Sequence, residues 1–209
     1  MTTSRKINTP GPRASGAAVP SAPRASTVTR LLLIAPALLL IPGLATASAA
    51  AQHSGPEYAR KAAVVSKFPH FAEWPQSALR DRRTLDVCVV KPNPFGKALS
   101  ELIAGERLGD RALNLRYIDG RDRLEGCHVL YVPARPTVDR QALLGRAAGL
   151  PILTVGDYAS FLDEGGIVRL RMIDGRVRFE VNVAPAGRVG LRLSSQLLQL
   201  ALNVRGAPQ

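Results

Sequence analysis

Near its C-terminus the chain reads Gly165-Gly166-Ile167-Val168-Arg169-Leu170-Arg171-Met172-Ile173-Asp174-Gly175-Arg176-Val177-Arg178-Phe179-Glu180-Val181-Asn182. An Asp-Gly between two alternating runs is the strongest short-range signal for a two-residue β-hairpin. With Asp174 and Gly175 as the turn, Met172 faces Val177, Leu170 faces Phe179 and Val168 faces Val181. That side is apolar and asks for a core. The other side sets Arg169 against Glu180 and Arg171 against Arg178. Like charges directly opposed across strands are unfavourable, so this side needs anions nearby. Glu180, diagonal to Arg171, is one.

Upstream, helical and strand periods alternate. Tyr58, Ala62 and Val65, with Lys61 and Lys67 between them, predict a helix from Glu57 to Phe68 that Pro69 ends or kinks. Strands are expected at residues 85–90, 114–118, 127–132 and 152–155, and helices at 95–103, 138–148 and 157–162. Ser194 is a plausible N-cap for a last helix over 196–204. Strands alternating with helices imply a single three-layer α/β domain. Its sheet is mostly parallel with helices on both faces, and the hairpin forms an antiparallel edge. No internal repeat is visible.

The first 50 residues stand apart. Arg30 precedes an apolar run, Leu31–Leu44, followed by small residues in which Ala47-Ser48-Ala49 best fits an export cleavage site. The run is shorter than the ~20 apolar residues of a membrane span and holds two prolines. Residues 1–50 are therefore read as a leader, with the signal over 31–49, and residues 52–209 as the domain. Five of the 28 basic residues lie in the leader, while all 16 acidic residues lie beyond it, which leaves the remainder at +7. The basic residues are dispersed, without the aromatic interleaving of a single-strand binder, so nucleic acid is not the expected partner. A membrane surface or an acidic protein fits better.

Cys88 and Cys127 each lie in an apolar strand-like run. In an exported chain they either form a disulfide or remain two buried thiols. The bridge requires adjacent strands with Cα atoms about 5.5 Å apart. Two thiols alone make no zinc site, and His128 points to the opposite strand face from Cys127. No metal or cofactor is expected.

Several ordered segments resemble the YfiR-like family. They are Lys61 to Pro75 with Phe68, Phe71 and Trp74-Pro75; Val87-Cys88-Val89-Val90 with Pro94-Phe95-Gly96; and Gly126-Cys127-His128-Val129-Leu130-Tyr131-Val132. Further on come Ile152 to Asp157, Phe161 to Ile167, Val177 to Asn182, and Gly190 to Ser195 with Leu197 to Ala201. Each is weak alone; the ordered set is specific. The resemblance implies a periplasmic, dimer-forming regulator without catalysis. Such a protein restrains an inner-membrane diguanylate cyclase through that enzyme's periplasmic sensor part, and so lowers cyclic-di-GMP signalling and biofilm formation. It would meet the membrane only through that partner. A second cysteine pair found in some members is missing here, and Pro69 is a local departure.

The clustered arginines and this resemblance together make Arg169, Arg171, Arg178 and Glu180 the candidate partner-docking residues, with Phe161 as an apolar neighbour. Trp74 is read as core, Asn182 as a strand-end cap and Asp157 as a helix cap. No serine lies in a nucleophile elbow, no phosphate loop is present, and no histidine has a ligand-spaced carboxylate or cysteine. The chain is therefore not read as an enzyme. The rival reading is a periplasmic small-molecule module using the crevice beyond the strand C-termini, near Gly156 and Asp157.

Overall fold

A computed structural model describes residues 55–206 of the chain. The expected leader and its export signal lie outside the described residues. In chain order the elements begin with helix α1 (Pro56–Val65), a 3-10 turn over Phe68–Phe71, β1 (Ala72–Glu73) and α2 (Gln76–Leu79). Next come β2 (Thr84–Val90), α3 (Ala98–Ile103), β3 (Arg107–Leu108), β4 (Arg111–Ile118) and β5 (Cys127–Val132). They are followed by α4 (Arg140–Ala147), β6 (Leu153–Gly156), and the hairpin strands β7 (Val168–Ile173) and β8 (Arg176–Asn182). Helix α5 (Val183–Arg188), β9 (Arg192–Leu193), α6 (Ser195–Leu200) and β10 (Val204–Arg205) complete the order.

Eight strands form one sheet in the order β10-β8-β7-β6-β5-β2-β4-β3. From β4 through β2, β5 and β6 to β7 every pairing is parallel, and β7–β8 and β3–β4 are antiparallel. The central strands are apolar on both faces, as a doubly covered parallel sheet demands. Val87, Val89, Val129 and Tyr131 pack on one side with Ala62, Val65, Phe68 and Leu99, which is the α1 and α3 side. Cys88, Val90, Leu130 and Val132 pack on the other with Leu143, Leu144 and Ala147 of α4 and with Phe161. The result is the expected three-layer α/β domain. Beyond the hairpin, among the described residues, the sheet adds only the two-residue β10.

The thiol question resolves as a disulfide. Cys88 and Cys127 join the neighbouring strands β2 and β5 with Cα atoms 5.8 Å apart. Closing a loop across a sequence separation of 39 residues is worth about 4 kcal/mol in the chain-entropy account.

Three helix expectations change, each for a local reason. Helix α1 stops at Val65, and Pro69 sits inside the 3-10 turn. No helix forms over 157–162. The chain there turns tightly so that the Phe161 ring lies against Gly156 and Gly166, where any Cβ would collide with it. Helix α6 ends at Leu200, because the edge of β8 captures the residues after it: Leu202 donates to Phe179 O and Asn203 O accepts from Val181 N.

The caps behave as their chemistry suggests. Ser194 accepts from Leu197 N at the start of α6, and Asn182 accepts from Ala184 N at the start of α5. Trp74 is buried, donates from Nε1 to His128 O at 3.2 Å, and stacks edge-to-face on His128.

Candidate interaction site

The hairpin turn takes Asp174 at φ 49° and Gly175 at φ 70°, the doubly positive backbone of a type I′ turn. The register follows the alternation: Met172 opposes Val177, Leu170 opposes Phe179, Arg169 opposes Glu180 and Arg171 opposes Arg178. The apolar side is sealed by Phe68, whose ring meets Phe179 edge-on at 5.7 Å.

The charged side is organised around Glu180. This carboxylate is buried and accepts from Arg169 Nε at 2.7 Å and from Arg171 Nη1 at 3.0 Å. Arg169 also donates to Ala159 O, which ties the strand to the preceding loop. Arg176 and Arg178 are exposed on the same side. Among the described residues no carboxylate lies within ion-pair distance of either. One glutamate thus serves four arginines, and the anion deficit inferred from Arg171 opposite Arg178 is present in the fold.

Phe161 does not belong to this surface. It is fully buried against Tyr158 and the two glycines, so it offers no area to a partner. It was expected as an apolar neighbour of the arginines; the tight turn drives the ring inward instead.

Asp157 is a second correction. It caps no helix: its carboxylate, 1% exposed, accepts from Lys61 Nζ at 2.7 Å, and the Lys61 side chain is itself only 4% exposed. Glu57 approaches the same ammonium at 2.5 Å from the first turn of α1, and the Tyr58 ring lies under it. Burial alone pushes Lys61 down, but hydrogen bonds to Asp157 and Glu57 outweigh it and hold the ammonium above its ordinary pKa. Lys61 is therefore a locked cation and a poor nucleophile. Burial, followed by the Asp157 charge, raises Tyr131 well above the usual phenol value and raises Tyr58 as well. Asp157 Oδ1 and the Tyr131 hydroxyl are both buried without a hydrogen-bond partner.

This ion pair floors a cavity of about 360 Å³ lined by Glu57, Lys61, Asp157, Arg169, Arg171 and Met172, among others. The cleft opens where β6 ends, beyond the C-terminal edge of the sheet, the usual ligand position in such folds. Arg169 and Arg171 belong to both the cleft wall and the charged hairpin side. Lys61 escaped the reading of the sequence because a lysine inside an amphipathic helix ordinarily faces solvent. Its signal was spacing: Lys61 lies three residues after Tyr58 and four before Val65, on the helix face that Ala62 and Val65 bury.

A model of the YfiR/HmsC-like family matches residues 58–202. The chain belongs to the YfiR/HmsC-like family. Among solved structures, the YfiR/HmsC-like chain is similar to a conserved domain protein from Vibrio cholerae O1 biovar El Tor, with 12% identity and a TM-score of 0.45. The comparison covers 70% of this chain and 60% of that one. No helix among the described residues of this family member is long and apolar enough to cross a membrane.

Proposed function

We propose that this YfiR/HmsC-like protein is a periplasmic regulator that binds the periplasmic part of an inner-membrane diguanylate cyclase and holds it in a low-activity state. It acts by occupancy, not by transforming a molecule. The family match across residues 58–202 carries this reading. Two features support it. The Cys88–Cys127 disulfide suits an oxidising compartment. The arginine-rich hairpin side suits an anionic protein surface, since arginine is favoured at interfaces and clustered cations speed encounter.

In this mechanism Arg169, Arg171 and Arg178 meet acidic groups of the sensor, and Glu180 keeps the first two guanidinium groups oriented. Inhibition follows if the regulator binds the inactive cyclase more tightly than the active one; any signal that weakens this difference releases the enzyme. Deleting the gene is expected to raise cellular cyclic-di-GMP and surface attachment, and re-expression of the exported protein to restore both. Unchanged cyclic-di-GMP in the deletion strain would refute the reading.

A further inference from the structure

The cleft wall is an unused strand edge. β6 pairs with β7 only at Val155–Val168 and Gly156–Arg169. Beyond Arg169, β7 continues through Ile173 with β8 on one side and, among the described residues, no strand on the other. In a two-residue hairpin the pair flanking the turn, Ile173 and Arg176, exchanges backbone bonds, so Arg171 and Arg169 also turn theirs to β8. Leu170 C=O and the N–H and C=O of Met172 then point away from β8. Both residues line the cleft.

Such an edge is a template for another chain, and proteins usually cover it or keep it short. Here it is four residues, about 13 Å at the strand rise. Its surroundings select the occupant. A strand added beside β7 would place alternate side chains on the Arg169 and Arg171 side, where Glu180 alone answers four arginines. An acidic residue next to Arg171 relieves its opposition to Arg178. On the other side Lys61 is already neutralised by Asp157 and Glu57, so the unanswered charge lies on the arginine side alone.

We propose that the free edge of β7 takes an extended, acidic segment of the cyclase's periplasmic part by strand addition, with backbone bonds at Leu170 and Met172. This rests on the regulatory reading above and specifies how the partner is held.

The test compares tagged full-length wild type with Met172→Pro in capture from detergent-solubilised membranes of its own cells, the captured protein being identified by mass spectrometry. Proline at 172 deletes the outward donor and leaves the β8 ladder intact, because that N–H does not face β8. The wild type is expected to bring down a diguanylate cyclase. The variant, with wild-type melting, is expected to bring down about tenfold less. Hydrogen exchange at the Met172 amide of the wild type is expected to slow in the complex. Equal capture by a folded Met172→Pro overturns strand addition and leaves the regulator reading standing. Capture of no cyclase by the wild type overturns both. If the proline variant does not fold, exchange decides: an unprotected Met172 amide in the complex rejects the proposal.

Discussion

Two buried carboxylates in this protein each pair with a cation, and their surroundings give them opposite roles. Asp157 and Lys61 are sealed from water, with side chains 1% and 4% exposed. Glu180 is also buried, but its partner Arg171 is 47% exposed and two further arginines on that side stand free of any carboxylate among the described residues. The first arrangement spends its charges on fixing α1 to the end of β6. The second leaves positive charge facing outward. The contrast teaches that charge pairing alone does not separate a structural site from the proposed docking surface; the proposal rests on the uncompensated remainder.

The largest expected effect tests the sealed pair. Removing one member of a buried pair leaves an uncompensated charge, so Lys61→Met, which strands Asp157, should cost about 3–5 kcal/mol of stability in denaturant unfolding, and Asp157→Asn, which leaves Lys61 its contact with Glu57, should cost less. Replacing both together, as Lys61→Met with Asp157→Leu, should recover much of that loss. Because the folded-state pKa of Lys61 is raised, its contribution is fully present below the unfolded value of 10.5 and is lost as pH climbs through the folded value. If either single substitution costs no more than Arg171→Ala does, the contrast between the two sites collapses.

A smaller effect is expected at acid pH, from a third polar group unrelated to either carboxylate. His128 is buried beside Trp74, with Asp86 and Arg82 the nearest charged groups, and burial lowers its pKa from 6.5. Its Nδ1 accepts from Asp86 N at 3.0 Å, which requires the neutral ring. The unfolded chain then binds a proton that the folded one resists, so stability falls as pH drops below 6.5. His128→Asn keeps an acceptor and removes the titration. Melting temperatures measured from about pH 5 to about pH 7.5, the range in which an ordinary histidine titrates, should decline less in that variant than in the wild type. Parallel curves would reject the assignment.

How far the residues alone foretold this arrangement varies with the length of the signal. The hairpin register was readable because Val168–Met172 and Arg176–Asn182 both alternate apolar and polar about a turn dipeptide that permits one alignment. The central strands were readable from β-branched runs between turn residues. Two-residue strands such as β1, β9 and β10 have no period to detect, and they exist because a neighbouring edge offers hydrogen bonds. The cleft was half visible. The crevice near Gly156 and Asp157 follows from strand polarity, but Asp157 was read as a helix cap, since its true partner Lys61 is 96 residues away. Phe161 misled for a related reason: its burial depends on two glycines five residues to either side in the chain.

The smallest expected effect on stability is the most selective for function. Arg178 directly opposes Arg171 and pairs with no carboxylate among the described residues. Arg178→Glu removes that repulsion and adds a cross-strand attraction, so the variant should be unchanged or more stable, by about 0–1 kcal/mol as exposed pairs are. An acidic partner would meet a reversed charge at the centre of its contact. Arg178→Glu should therefore melt at or above the wild-type temperature while cyclic-di-GMP rises toward the deletion level. A surface substitution that stabilises the fold and abolishes regulation cannot act through unfolding. Should the variant regulate normally, the uncompensated arginines are ordinary solvated charge, and the docking surface lies elsewhere.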